Sequence, residues 1–335
     1  LIPKSRAGFG QGSLASSSTP RQSTPLLRST ALDANAASRV GFGMAVPADP
    51  VLWAGRLGAA WYLDWTSRPA PSQPSPEHWQ MVRIAPPCLL PSMQQIATLA
   101  AAFPGQVWIL GNEPDVIWQD NVTPQLYAQA YHDIYHLVKQ ADPTAQIAVA
   151  GISQATPLRL AYLDQVLQAY LQAYSQPMPV DWWTVHGFVL REELGSWGVG
   201  IPPGFPDDFG MLYEVSDHAS VDLFQQHIIE FRKWMHRRGY QDTPLALTEF
   251  GILMPPEYGF PVELVADYLT QTFSWLSQAS SAQYGLPSDD GRLVQRWAWY
   301  SLADTIYPAS NLADLDESRL TPLGQAFAAF TSRAP

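Results

Sequence analysis

The sequence has little of what several protein classes need. Its single cysteine, Cys88, excludes an intramolecular disulfide and a cysteine-based metal cluster, and we expect it to be a small buried apolar residue. Charged residues make up only 15% of the 335, which is too few for a disordered or coiled-coil chain. No apolar run reaches the length that a bilayer span needs.

Positive charge is also scarce. The chain has 19 Lys and Arg against 30 Asp and Glu, giving a net charge of −11. A surplus of this sign disfavours nucleic acid and anionic membrane surfaces as partners, since both attract basic proteins. It is compatible with a neutral substrate.

What the sequence does contain is enough material for a large core. Hydrophobic residues make up 47% of the chain, and there are 13 tryptophans. Residues 1–38 are rich in Ser, Thr, Ala, Pro and Arg without hydrophobic period, so we predict a flexible arm or linker there. The chain begins at Leu1 rather than at Met, and we expect that a signal or anchor segment was removed upstream. A secreted or cell-surface protein is the corresponding prediction.

Residues 39–335 read as one domain in which apolar strand-like runs alternate with helical ones. The predicted strands are residues 39–46, 59–65, 80–85, 106–115, 145–152, 181–190, 245–253 and 295–302. Alternation of this kind indicates parallel pairing, and eight units with a helix after each strand predict a (β/α)₈ barrel, the TIM-barrel fold, in the α/β class. The alternative is a doubly wound open sheet, which normally carries a Gly-rich phosphate turn that is missing here.

Two of these strands end in a carboxylate. In residues 106–115, period-two alternation places Glu113 on the face of Val107 and Ile109, and Pro114 stops the strand. In residues 244–251, Leu245, Leu247 and Glu249 share a face by the same rule. Strands four and seven lie nearly across a barrel, so both carboxylates converge at the carboxyl-end mouth where such barrels have their active sites.

Two facing carboxylates in a water-poor cleft are not both ionised, so one acts as an acid and the other as an anion. Glycoside hydrolysis needs that division. The segments Gly-Asn-Glu-Pro (111–114) and Thr-Glu-Phe-Gly (248–251) resemble the paired motifs of glycoside hydrolase clan A, which contains retaining (β/α)₈-barrel enzymes. The first segment, extended by Asp115, is similar to the acid/base motif of family 128 endo-β-1,3-glucanases.

The resemblance implies a role for each matched residue. Glu113 would be the acid/base, Glu249 the nucleophile, and Asn112 the donor to the sugar 2-hydroxyl. His186 ends strand six, where clan members often hydrogen-bond the nucleophile, although a buried core histidine is the alternative. Trp299 on strand eight resembles the aromatic floor beneath the cleaved sugar.

One departure from the clan pattern concerns the cation near the nucleophile. Several clan families place an arginine on strand two, whereas this strand carries Tyr62, Asp64 and Trp65. Arg83 on strand three would be a substitute, or it forms a structural salt bridge instead.

Aromatic residues near the predicted strand ends are a second indication of a carbohydrate groove, because sugar rings stack on indoles. We predict substrate contacts for Trp65, Trp118 and Trp197, and for Tyr213 in the long loop 191–219. That loop either walls the cleft or is an insertion without function; loops of this length are usually functional or mobile.

The sequence therefore predicts a monomeric retaining β-glycosidase for a neutral polysaccharide or oligosaccharide, an endo-acting enzyme with β-1,3-glucan favoured. Xylan, mannan and galactan remain alternatives, as does a carbohydrate-binding barrel without turnover. No cofactor or metal is expected, since the seven histidines are scattered and the pair His132 and His136 reads as a helix face. A lyase or aldolase would need a strand-end lysine or a metal cluster.

Overall fold

The computed structural model describes residues 37–69, 76–85 and 88–332. Residues 1–36 of the predicted arm and the side chain of Cys88 lie outside the described part, and Ala37–Arg39 form a 3₁₀ turn that leads into the first strand. The described strands are β1 Val40–Gly43, β2 Trp61–Leu63, β3 Glu77–His78, β4 Gln80–Ala85, β5 Cys88–Leu90, β6 Val107–Leu110, β7 Gln146–Val149, β8 Trp183–His186, β9 Leu245–Phe250, β10 Arg296–Trp299, β11 Ala313–Asp314 and β12 Arg319–Leu320.

The helices begin where the sequence offers capping residues. They are α1 Pro50–Leu57, α2 Met93–Ala102, α3 Pro124–Ala141, α4 Pro157–Tyr174, α5 Val221–Arg237, α6 Val262–Gln278 and α7 Pro322–Thr331. The side chains of Asp49, Ser92, Thr156 and Thr321 accept N–H groups of the first turns of α1, α2, α4 and α7. No helix in the described ranges is both long and apolar enough to cross a membrane.

The strands pair into two mainly parallel sheets. One has the order β3-β2-β1-β10-β9-β8 and the other β5-β4-β6-β7, with β5 antiparallel to β4 and a separate β11–β12 hairpin. The predicted α/β class and parallel pairing are confirmed. After β2, the described part of the connection (residues 64–69 and 76) forms no helix, so the predicted helix after every strand is not found among those residues.

The sheets bury two apolar layers. The inner layer lies on the face turned away from the helices and consists of strand residues together with the residue between β3 and β4: Trp61, Leu63, Trp79, Met81, Val107, Ile109, Ala148, Ala246 and Ala298. The outer layer packs the opposite strand face, including Trp108, Leu110, Leu245 and Leu247, against the helices. A side chain that continues the inner alternation at a strand's carboxyl end therefore points into the mouth enclosed by the loops.

Candidate active site

Glu113 reaches the mouth through a strained turn at the end of β6. Val107 and Ile109 belong to the inner layer, as the alternation predicted. Gly111 then has a φ of 101° and Glu113 a φ of 42°, the left-handed region that a glutamate rarely adopts. The Glu113 amide donates to the Gly151 carbonyl at 3.0 Å, which holds the turn against β7. Strain of this kind persists where the surroundings fix the chain, and it clusters at functional sites.

Glu249 reaches the mouth by a β-bulge. Leu245 and Leu247 belong to the outer layer, so plain alternation would direct Glu249 toward the helices. The register between β8 and β9 instead steps from Val185–Leu247 to His186–Glu249 and leaves Thr248 as the extra residue. The predicted shared face of Leu245, Leu247 and Glu249 is therefore wrong, because the bulge turns the carboxylate inward.

His186 joins the two carboxylates. Its Nδ1 lies 2.8 Å from Glu113 Oε1, and its Nε2 lies 3.4 Å from Glu249 Oε1. All three side chains are nearly excluded from solvent. Two acidic groups that end β6 and β9 thus converge on one imidazole at the end of β8.

The His186 imidazole fits between the two carboxylates because residue 151 is glycine. A Cβ at Gly151 would lie 2.6 Å from both Cδ2 and Nε2 of His186, closer than nonbonded carbon atoms approach. An alanine here would push the ring away from one of the two carboxylates.

An aromatic wall surrounds the nucleophile candidate. Trp65 has a φ of 57° and donates its indole N–H to Glu249 Oε1 at 2.7 Å. The Tyr300 ring meets Trp65 edge-on at 5.5 Å between centroids, and Phe188 contacts both Tyr300 and His186. Trp65 thereby contacts Glu249, and its predicted substrate contact stays a prediction; Tyr300 and Phe188 lie in the same aromatic wall and were missed by the sequence reading.

Burial and charge couple the three ionisable groups. Burial raises the pKa of the Glu249 carboxyl from 4.5 to about 7; the His186 charge opposes this rise and the Glu113 charge adds to it. Burial lowers the pKa of His186, but the charges of Glu249 and Glu113 and the hydrogen bond to Glu113 outweigh it and raise the pKa overall. The cluster therefore favours the protonated imidazole of His186, while burial favours the protonated form of Glu249.

A test of this coupling is the pH dependence of stability. The folded chain holds the Glu249 proton up to about pH 7, whereas the unfolded chain releases it near 4.5. As pH rises between these values the wild type should lose stability relative to Glu249→Gln, by up to about 3 kcal/mol at 1.36 kcal/mol per pK unit. The raised pKa of His186 likewise makes the folded chain lose stability as pH rises. Urea unfolding at several pH values measures the difference.

The control for this experiment is Glu257→Gln, at an exposed carboxylate on the loop after β9. Its stability difference from the wild type should stay flat across the same range. If the stability of the wild type relative to Glu249→Gln stayed constant or increased as pH rises, the raised pKa of Glu249 would be contradicted.

Two polar residues, Asn112 and Arg83, contact Asp120 in the loop that follows Glu113. Asn112 is buried, and its backbone N–H donates to Asp120 Oδ2 at 2.8 Å. Its side-chain Oδ1 has no hydrogen-bond partner among the described residues. Arg83 donates to Asp120 Oδ1 at 2.6 Å and to Gln119 at 3.1 Å, so it forms the structural salt bridge. The Arg83 charge also lowers the pKa of Glu249. Arg83 can therefore form the structural salt bridge and also act as the cation near the nucleophile candidate.

Trp299 does not form the predicted sugar floor. It is fully buried in the outer layer, its indole N–H donates to the Ser310 carbonyl at 2.9 Å, and its ring packs edge-on against Phe250 and Phe273. Alternation along β10 explains this, because Ala298 faces inward and Trp299 outward. Tyr300 has the inward parity instead, and its ring meets Trp65.

The other predicted aromatic contacts have different outcomes. Trp118 is 78% exposed on the loop after β6. Trp197 is half-buried in a small apolar cluster with Val116 and Phe188, at the edge of the site. Tyr213 is buried, and its hydroxyl pairs with His227 Nε2 at 2.9 Å, so its predicted substrate contact is wrong.

The buried guanidinium of Arg159 connects the long loop after β8 to the loop that follows Glu113. Arg159 on α4 donates to Glu192 Oε1 at 2.9 Å and to Asp115 Oδ2 at 2.5 Å, and it also reaches the carbonyls of Asp115, Val199 and Gly200. Both carboxylates are fully buried. The loop therefore borders the site, in accord with the cleft-wall interpretation. Among the described residues no group of three His, Cys, Asp or Glu side chains is arranged to hold a metal ion.

Known proteins resemble this chain in their fold. No family model matches the sequence. No curated protein matches it either. Similar solved structures include a family 128 subgroup II endo-β-1,3-glucanase from Pseudomonas viridiflava, with 20% identity, 87% of this chain and 97% of that chain covered, and a TM-score of 0.60.

Two further solved structures show the same likeness. A subgroup I endo-β-1,3-glucanase variant from Amycolatopsis mediterranei, bound to laminarihexaose, has 16% identity, a TM-score of 0.58 and coverage of 87% and 99%. A subgroup III curdlan-specific exo-β-1,3-glucanase from Blastomyces gilchristii, bound to glucose, has 18% identity, a TM-score of 0.57 and coverage of 88% and 98%. The resemblance inferred from the two motifs is confirmed at the level of the fold.

Proposed function

We propose that the protein is a retaining glycoside hydrolase that cleaves β-1,3-glucan by endo attack. The observation that carries the proposal is the convergence of Glu113 and Glu249 on His186. It places two carboxyl groups with different environments together at the carboxyl ends of the strands. The choice of β-1,3-glucan is supported by the structural neighbours, which are glucanases of that linkage.

We also propose that the two sheets are arcs of one closed (β/α)₈ barrel. The isolated parallel bridges Ala148–Trp182 and Ile152–Val185 lie between the β7 and β8 edges. At the other gap, β3 and β4 are separated by one residue, whose amide donates to the Tyr62 carbonyl at 3.0 Å. These contacts support closure at both edges.

In the proposed reaction Glu249 attacks the anomeric carbon while Glu113 protonates the leaving oxygen. The bond from the anomeric carbon to that oxygen breaks, and a glycosyl ester forms on Glu249. Glu113 then takes a proton from water, which attacks the anomeric carbon and releases Glu249. The side-chain amide of Asn112 donates one N–H to Gln119 Oε1 at 3.4 Å, and its second N–H would donate to the sugar 2-hydroxyl.

His186 has a defined part in this scheme. Clan A families often have an arginine near the nucleophile that strand β2 lacks here, and an imidazolium contacting Glu249 supplies the missing positive charge. The indole N–H of Trp65 adds a neutral donor to the same carboxylate oxygen. Both interactions favour the ionised form of Glu249, whereas burial favours its protonated form.

The test is a panel of purified polysaccharides assayed for reducing ends, with the anomer formed first followed by proton NMR. We expect activity on β-1,3-glucan, internal cleavage, and a β-anomer as first product. Retention also requires the carboxyls of Glu113 and Glu249 to lie about 5–5.5 Å apart in a substrate-bound crystal structure.

Other outcomes lead to other functions. An α-anomer formed first would show inversion, and activity only on xylan, mannan or galactan would change the substrate. Glucan binding without any turnover would show a non-catalytic carbohydrate-binding barrel.

A further inference from the structure

A buried histidine lies between the segments that follow β8 and β9. His218, in the short 3₁₀ turn before α5, is 1% exposed. Its Nδ1 lies 3.0 Å from the Val189 carbonyl oxygen, and the Leu253 amide donates to its Nε2 at 2.8 Å. Val189 follows His186 by three residues. Leu253 follows Glu249 by four, so one imidazole connects the two segments just beyond the site.

The two partners determine the protonation state of this imidazole. A carbonyl oxygen only accepts, so Nδ1 carries a hydrogen, and an amide N–H only donates, so Nε2 carries a lone pair. The neutral Nδ1–H tautomer satisfies both bonds, whereas an imidazolium has no acceptor for Leu253. Burial lowers the pKa of His218 to about 4, opposed by the hydrogen bond to the Val189 carbonyl, which agrees with a neutral ring.

The surroundings of His218 are otherwise apolar. The Phe260 ring meets the imidazole edge-on at 5.7 Å between centroids, and no charged side chain of the described residues contributes to its pKa. The titratable groups on the neighbouring elements have other partners or lie in solvent: Asp217 accepts the Glu214 amide, His227 pairs with the Tyr213 hydroxyl, and Glu257 and Glu263 are exposed. Burial and the two backbone partners therefore set the neutral form.

The segment after β9 is held on its other side by Ser310. The Ser310 hydroxyl accepts the Ile252 amide at 2.7 Å and donates to the Ile252 carbonyl at 2.9 Å. Leu253, the next residue, packs against the small apolar cluster that contains Phe188, and the Phe188 ring meets His186 edge-on at 6.1 Å. A displacement of Leu253 would therefore reach His186, which contacts both carboxylates.

We propose that His218 is a positioning residue: as a neutral imidazole it holds the segment after β8 to the segment after β9 and thereby keeps His186 and Glu249 in place for the reaction. The inference rests on the proposed function. Glu249 needs this support because the β-bulge interrupts the β8–β9 ladder immediately before it. Gly187 still donates to the Glu249 carbonyl at 2.8 Å, and His218 adds its two bonds just beyond that point.

The first measurement is the tautomer of His218 in the full chain. Long-range ¹⁵N–¹H NMR correlations distinguish the two neutral tautomers and the imidazolium, and the His218 signals are assigned by their loss in His218→Gln. We expect the Nδ1–H tautomer at about pH 7. An Nε2–H tautomer or an imidazolium at that pH overturns the bridge.

The second measurement uses His218→Leu, which removes both hydrogen bonds and keeps an apolar side chain. We expect kcat on β-1,3-glucan to fall about 10–100-fold with KM changed less than about twofold, because a misplaced catalytic group loses rate rather than binding. The Leu253 amide should exchange with deuterium about tenfold faster, the factor for one lost hydrogen bond. The adjacent Ile252 amide, bonded to Ser310, should exchange as in the wild type.

Two further variants separate positioning from a general loss of stability. His218→Gln offers a donor and an acceptor without a titrating ring, so it should restore most of kcat and of the Leu253 protection. The matched control is His227→Leu on α5, where burial also lowers the pKa to about 4 but Nε2 pairs with the Tyr213 hydroxyl. This control should leave kcat and the Leu253 exchange rate unchanged.

The outcomes distinguish this inference from the proposed function. Wild-type kcat in His218→Leu, or equal losses of kcat in the two leucine variants, overturns the positioning role. Absence of turnover in the wild type overturns the proposed function and the positioning role with it, while the tautomer and the exchange rates still decide whether His218 bridges the two segments.

Discussion

Glu249→Ala should lower turnover on every substrate by at least about 10⁴-fold, in the range seen when a covalent nucleophile is removed. Within the described part of the chain, the groups that contact Glu249 are the Trp65 indole and the His186 ring, which is held by Glu113, and neither is a carboxylate that could replace it. Steady-state rates on glucan and on aryl glycosides measure the loss. Glu257→Ala, at an exposed carboxylate, should behave as wild type.

Glu113→Ala should show a different pattern. Loss of a general acid costs about 10²–10⁴-fold on glucan, whose leaving group needs a proton. An activated aryl glycoside departs without one, so only the second step then lacks its base. Added azide should accelerate that step and give a β-glycosyl azide, because it attacks the ester from the face opposite Glu249.

The stereochemistry of the azide product assigns the two roles. In Glu249→Ala, azide enters the cavity left by the nucleophile and should give the α-azide from a β-configured donor. Exchanged products would mean that Glu113 is the nucleophile and Glu249 the acid. Wild-type rates in both variants would remove the hydrolytic site from this mouth.

Local patterns in the sequence predicted much of the fold. The capping residues Ser92 and Thr156 and the proline pairs placed helix starts correctly, and buried apolar runs gave the parallel strands. The segment after β2 was the exception. A polar network covers the outer side of the sheet there, with Asp64 bonded to His78 Nε2 at 2.8 Å and to Arg68. Asp64 and His78 lie 14 residues apart, so no local periodicity predicts their contact, although Asp64 and Arg68 are an i, i+4 pair.

The site shows where alternation succeeds and where it fails. On β6 it gave the correct inner face up to Ile109, and on β10 it would have selected Tyr300 through Ala298. The resemblance to the clan directed the choice to Trp299 instead, one residue away and on the wrong face. On β9 the alternation gave the wrong face, because a bulge depends on pairing with β8 and is not visible in one strand alone.

The contacts of His186 were only partly predictable. Its position at a strand end was visible, but its simultaneous contact with Glu113 and Glu249 depends on three strands and on the missing side chain of Gly151. Arg159 was not singled out, since a lone arginine on a helix usually faces solvent. Its partners lie 33 to 44 residues away along the chain.

Arg159→Met should destabilise the fold by about 3–5 kcal/mol, the usual effect of removing one partner from a buried ion pair. Arg159 is fully buried and donates all five of its N–H groups, two of them to Asp115 and one to Glu192. Burial already raises the pKa of Asp115, with Arg159 opposing the rise and Glu113 adding to it. Without Arg159 that carboxyl should take up a proton or draw in water, and chemical denaturation measures the loss.

The matched control is Arg238→Met, because Arg238 also pairs with an aspartate through two bonds of 2.6 Å, but at the surface. Solvent screens that pair, so we expect a loss of only about 0–1 kcal/mol. The triple variant Arg159→Met, Asp115→Asn, Glu192→Gln removes the charges together and should recover part of the stability. Equal losses in the two single variants would show that the buried guanidinium is no more important to the fold than a surface ion pair.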